Sequence, residues 1–223
     1  MRSEASALCR SAALLALASG CLLAGCKGKA SPSKPIMSPN GKCILHLHGK
    51  SGRGGPTQVE GDLTHVRPAG NAEGWGGYQW LYFPEDKYRA VRASVAKAIA
   101  DAGCRRVIVH GFSNGAAAAA KLFCRAERFN GRVVGYVVDD PVPDHAVENC
   151  KPATEVKIRV YWTGALAGTA SDGWQCASGD WTCEGGTTIG IAKYVSHLGV
   201  SATPSVQKRH AAYESPPEYG SWW

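Results

Sequence analysis

Ser113 stands in the run Gly111-Phe112-Ser113-Asn114-Gly115, and its flanks lift that run above a chance pattern. Before it lies the short apolar stretch Val107-Ile108-Val109; after it come five alanines and Lys121, a strong helix former. A strand that turns at once into a helix leaves the residue at the turn standing out from a tight bend. The residues two before and two after must then be almost without side chains, and Gly111 and Gly115 meet that demand. Such a serine could attack an acyl carbon. Its hydroxyl is a poor nucleophile at neutral pH until a base takes the proton. A histidine suits that task, because its ordinary pKa lies near working pH. A carboxylate must fix the imidazole tautomer. Two N–H groups must face the oxygen that becomes negative. The plainer reading of the same residues is a glycine-rich turn in any parallel α/β protein.

The rest of the chain must bring those groups together. Residues 43–47 read as a short apolar strand ending at His48-Gly49, followed by a glycine-rich loop over 49–56. Residues 64–67 suggest another strand, and 74–80 a loop dense in aromatics. Residues 88–102 are alanine-rich with apolar positions at 91, 95, 98 and 99, a helical face stopped by Gly103. After the strand at 107–109 the reading continues with a helix from 116 to about 128 and strands over 132–138 and 156–163. A helix over 187–198 with Gly199 behind it and a weaker strand over 205–209 complete the order. Strands alternating with helices predict an α/β domain over 42–223: a mostly parallel, doubly wound sheet, small and without a large lid. Such sheets place chemistry at the carboxyl ends of their strands.

This order resembles an α/β-hydrolase, most specifically at His48-Gly49 and at the elbow around Ser113. The resemblance implies a serine hydrolase that cleaves carboxylic esters through an acyl-enzyme, with a small-molecule ester as substrate. It also implies the chain order nucleophile, acid, histidine. His210 is then the base. His145 follows the Asp140 region too closely, and His197 lies on a helix face opposite Ile191 and Tyr194. The acid is expected beyond Thr163-Gly164, where Asp172 comes first and Asp180 next; an acid one strand earlier would be Asp140 or Asp139. The oxyanion donors implied are the backbone N–H groups of Asn114 and Lys50, with Ser51 as the alternate. The departure from the family is size, with early strands missing or degenerate. A hydrolase-like lipoprotein without catalysis, serving as a binding or envelope-assembly module, is the rival reading.

Residues 1–25 resemble a bacterial lipoprotein signal peptide. Arg2 and Arg10 give a basic start, and the apolar run over 11–25 is too short to span a bilayer. Leu22-Leu23-Ala24-Gly25-Cys26 resembles the cleavage box after which the cysteine carries lipid. Acyl chains on Cys26 would hold the protein at a membrane of the cell envelope. Residues 26–41 read as a flexible tether. The net charge of +7 is spread along the chain without aromatic interleaving, which argues against nucleic acid; a monomer is expected.

Six cysteines follow Cys26, an even number that suits three disulfides in an oxidising compartment. Cys43 and Cys104 each lie shortly before a His-Gly pair, at the same edge of the sheet if their strands are parallel neighbours. Cys176 and Cys183 close a small loop, which leaves Cys124 with Cys150. No Cys-x-x-Cys favours zinc, and neither metal nor cofactor is expected. His46 and His48 could share a metal on one strand face, but structural roles are the stronger reading. Gly49-Lys50-Ser51 does not complete a phosphate-binding loop, because the first glycine of that motif would fall at Ile44. Trp75, Tyr78, Trp80, Tyr82 and Phe83 could line a pocket or pack the core.

Overall fold

The computed structural model describes residues 36–164, 176 and 183–223. Among them, seven strands form one sheet in the order β2-β3-β1-β6-β7-β8-β9. These are β1 (Lys42–Leu47), β2 (Gly55–Glu60), β3 (Leu63–Arg67), β6 (Arg106–Phe112), β7 (Val133–Asp139), β8 (Lys157–Trp162) and β9 (Ala202–Pro204). A two-stranded ribbon pairs β4 (Ala72–Gly74) with β5 (Gly77–Gln79). Only β2 runs antiparallel in the large sheet. Between their charged end residues Lys42, Arg106 and Asp139, the central strands β1, β6 and β7 are apolar apart from His46 and His110, as suits strands covered on both faces.

One core gathers the helices. α1 (Glu85–Asp101) buries Tyr88, Val91, Val95 and Ile99, at helical spacing. α2 (Asn114–Cys124) is buried along nearly all of its length, which its run of alanines permits by keeping the helix thin. α3 (Ile191–Leu198) adds Ile191, Tyr194 and Leu198, and ends at Gly199 in the left-handed region, at φ 70°. The opposite face of the sheet holds Ile44, Ile108, Val137 and Tyr161. There the cover includes a C-terminal segment rich in aromatics: Tyr213, the short helix α4 (Glu218–Ser221), Trp222 and Trp223.

The structure differs from the sequence expectations at several edges. The stretch over 49–56 enters β2, and the aromatic loop is the β4–β5 ribbon. The last strand lies at 202–204 rather than 205–209, so His210 sits in the loop beyond it. α3 begins at Ile191, after Gly190 with φ 78°. His197 is half-buried instead of solvated, with Nε2 out of reach of water. Trp80 and Tyr82 are core residues, whereas Trp75 is 65 % exposed. Three disulfides join Cys43 to Cys104, Cys124 to Cys150 and Cys176 to Cys183.

Candidate active site

Ser113 caps α2 with φ 55° and ψ −117°, a conformation that an L-residue adopts only when its surroundings impose it. The surroundings are identifiable. Its N–H donates to the Asp139 carbonyl at 3.0 Å, and its own carbonyl accepts the N–H groups of Ala116 and Ala117. A Cβ on Gly111 would run into the carbonyl of Gly115, and one on Gly115 into the carbonyls of Leu47 and His48. A side chain at 115 would push the elbow off the end of β1, and one at 111 would force apart the strand and helix of the elbow itself. A Cβ on Gly49 would sit 3.2 Å from the Ser113 Cβ. These bare backbones are what brings the loop after β1 against the nucleophile.

His210 reaches the same rim of the sheet. Its Nδ1 bonds Asp140 Oδ2, and its ring lies on Phe112 with centroids 4.7 Å apart. Asp140 is fully buried beyond the end of β7 at φ 46°. It accepts the Thr163 N–H on Oδ1 at 3.1 Å and the Thr163 hydroxyl on Oδ2 at 2.9 Å. With Nδ1–H given to the carboxylate, the Nε2 lone pair is left as the base. Among the described residues the Ser113 hydroxyl has no hydrogen-bond partner and His210 is bonded only through Nδ1. The nucleophile–base bond of such sites often forms only in the substrate complex.

The loop after β1 is ordered by His48. Its Nε2 accepts the Gly70 N–H at 3.1 Å, so the ring proton resides on Nδ1 and is donated to the Gly49 carbonyl at 2.7 Å. Burial lowers the pKa of this imidazole, although the Gly49 bond opposes the shift, and the ring stays neutral at working pH. The Gly49 carbonyl also accepts from the Gly52 N–H. In a trans peptide the N–H of Lys50 points the opposite way from that carbonyl. The Asn114 N–H is one of the unpaired donors at the start of α2, where the helix dipole favours negative charge. The Asn114 side chain is occupied elsewhere: Oδ1 accepts the Trp80 N–H at 2.7 Å and Nδ2 donates to the Trp80 carbonyl at 3.1 Å.

The structure thus brings Ser113, Asn114, His210 and Asp140 to one rim of the sheet, with Gly49 and its neighbour Lys50 beside them. Asp172 and Cys26 lie outside the described residues. His46 and His48 do not converge, since His46 bonds His65 Nδ1 at 2.8 Å. No group of metal-ligating side chains occurs among the described residues. Sequence reasoning missed Thr163, the ring of His48 and the side chain of Asn114 as supports. For His48 the adjacent glycine was a usable signal; Thr163 meets Asp140 only through the pairing of β7 with β8.

No family model matches the sequence, and no curated protein matches it. Solved structures do. A carboxylesterase of Bacillus cereus aligns over 81 % of this chain and 85 % of its own, with 15 % identity and a TM-score of 0.52. A protein of unknown function from Agrobacterium tumefaciens aligns over 75 % and 81 %, with 17 % identity and a TM-score of 0.44. An alpha-beta hydrolase of Vibrio vulnificus aligns over 76 % and 68 %, with 18 % identity and a TM-score of 0.40. The first likeness, together with the parallel sheet and its elbow, identifies the α/β-hydrolase fold.

Proposed function

We propose that the chain is a serine hydrolase that cleaves a carboxylic ester through an acyl-enzyme. Ser113 attacks the acyl carbon while His210 Nε2 takes the hydroxyl proton; Asp140 stabilises the resulting imidazolium. The N–H groups of Lys50 and Asn114 hold the oxyanion. His210 then protonates the leaving alcohol, and a water molecule activated by the same imidazole releases the acid. The observation that carries this reading is the strained serine at the elbow on the same sheet rim as the His210–Asp140 bond. The β6–α2 junction supplies its strain, and strained backbone of this kind clusters at functional sites. We further propose that Cys26 bears the lipid that anchors the domain to the cell envelope.

A fluorophosphonate probe tests the reading. The oxidised, folded protein labels at Ser113, Ser113→Ala abolishes labelling, and p-nitrophenyl acetate is turned over by the parent alone. Absence of both labelling and turnover in folded protein would overturn the catalytic role and leave a binding module.

A further inference from the structure

Asp140 has a second buried carboxylate beside it. Asp139 is the last residue of β7 and has no exposed surface. Its Oδ2 accepts the Tyr213 N–H at 2.6 Å and lies 3.5 Å from His110 Nε2, while Oδ1 has no partner among the described residues. His110 Nδ1 is 2.5 Å from the hydroxyl of Tyr219. Burial, and then the charge of Asp139, push the Tyr219 phenol well above its ordinary pKa, so it remains a neutral donor. His110 thus joins Tyr219 on one ring nitrogen and faces Asp139 with the other, beyond hydrogen-bond reach.

The loop over 205–213 carries His210 and has no regular structure. At its start Ser205 N–H donates to the Trp162 carbonyl at 2.8 Å; at its end Tyr213 N–H donates to Asp139. Asp140 holds the imidazole between those two pins. Consecutive carboxylates thus serve one loop, one on the ring of His210 and one on the backbone three residues later. A second carboxylate buried next to Asp140 also bears on any charge carried by the imidazole, because the surrounding dielectric is low.

Resting on the proposed serine mechanism, we infer that Asp139 is a positioning residue for His210, acting through the Tyr213 N–H and through its charge. The groups that face this corner are Asp140 on the same turn, His110 from β6, Tyr213 and Tyr219 from the C-terminal segment and His210 itself. Arg209 and Lys208 are neighbours of His210 in sequence.

Two substitutions separate pin from charge. Asp139→Asn keeps an oxygen for the Tyr213 N–H and removes the charge; Asp139→Ala removes both. Each is made in the full chain and assayed for kcat and KM on p-nitrophenyl acetate across pH, and the His210 ring is titrated by NMR. That titration reads the resting protein and does not depend on turnover. In D139N the expected results are a kcat about tenfold lower with KM nearly unchanged. The acidic limb of kcat/KM and the His210 midpoint should both fall by about half a pH unit or more. In D139A kcat should fall about 100-fold, the scale of a misplaced catalytic group. An unmoved midpoint and limb in folded D139N would overturn the charge role. A D139A kcat within threefold of the parent would overturn the pin. If D139A fails to fold, Asp139→Leu, close in volume and unable to accept the Tyr213 N–H, is held to the same kcat limit. A parent without turnover but with the shifted midpoint would count against the esterase reading and leave this coupling standing.

Discussion

Thr163 grips both oxygens of Asp140, its N–H on Oδ1 and its hydroxyl on Oδ2. Two donors on a buried carboxylate hold it aimed, and the third bond of the set goes to His210. Asp140→Asn should therefore lower kcat by about 1,000-fold or more, because the amide favours the wrong imidazole tautomer. Thr163→Ala should cost about three- to tenfold, the worth of one hydrogen bond. Asp172→Asn is the control on the acid. Turnover retained there, and lost in D140N, assigns the role to Asp140; the reverse pattern would return it to Asp172.

His48 orders the loop that presents the Lys50 N–H, and it does so as a neutral ring. His48→Ala should lower kcat about 10- to 100-fold with little change in KM, since an oxyanion donor matters most in the transition state. His48→Gln, which can offer both a donor and an acceptor, should recover part of that loss. A KM effect that outweighs the kcat effect would place His48 in ground-state binding instead.

Asn114, a proposed oxyanion donor, is also a structural clasp. Its side chain completes two hydrogen bonds to the backbone of Trp80, a residue with no exposed surface. Asn114→Ala leaves a buried N–H and carbonyl unpaired and should destabilise the fold by about 2–4 kcal/mol. The backbone N–H at 114 is unchanged, so activity per folded molecule should fall far less than stability. Chemical denaturation alongside active-site titration checks both halves of the statement.

Acid should weaken this fold. Burial, then the charges of His110, Arg67 and His65, lower the pKa of His46 from 6.5 to about 2. An unfolded chain takes up that proton near pH 6.5 and the folded chain does not until about pH 2. The stability present above pH 6.5 is therefore lost as pH falls, at a limiting slope of about 1.4 kcal/mol per pH unit for one such group. His48 and His65 are also lowered by burial and act in the same direction. Asp144 opposes them. Burial raises its pKa from 3.8 to about 7, so the folded state keeps a proton that the unfolded state has lost between those values. Its contribution is present on the acid side and fades as pH rises toward 7. Three histidines against one aspartate give a net loss between pH 6.5 and 5. Denaturant unfolding across pH should show a shallower slope in His46→Asn and a steeper one in Asp144→Asn.

Local signals made much of this molecule readable. Gly111, Ser113 and Gly115 declared the elbow because their constraint is steric and lies within five residues. The Cys43–Cys104 pair followed from which strands had to be neighbours, Cys176–Cys183 from the shortness of their loop, and Cys124–Cys150 was the pair that remained. The acid was harder, because Asp172, Asp180, Asp140 and Asp139 have equal chemistry, and the contact of Thr163 with Asp140 depends on the pairing of β7 with β8. The end of the last strand was misjudged for a related reason. Residues 205–209 alternate weakly, but the β8 edge pairs with 202–204, and backbone pairing outweighs side-chain pattern there. The aromatic cover on the second face was invisible to periodicity, since the C-terminal segment has too little regular structure to show any.

Cys43 and Cys104 tie the entrance of β1 to the turn leading into β6, while Gly49 and Ser113 follow the exits of the same two strands. Between those ends the pair stays in register from Lys42 opposite Arg106 to Leu47 opposite Gly111. A reductant acting at the entrance would free a long loop in the unfolded chain and cost about 4 kcal/mol of stability. It would not shift the exits, because the backbone ladder holds them. Endurance and the proposed chemistry are thus governed from opposite rims, and oxidation should set how long the protein lasts without setting the rate of that chemistry.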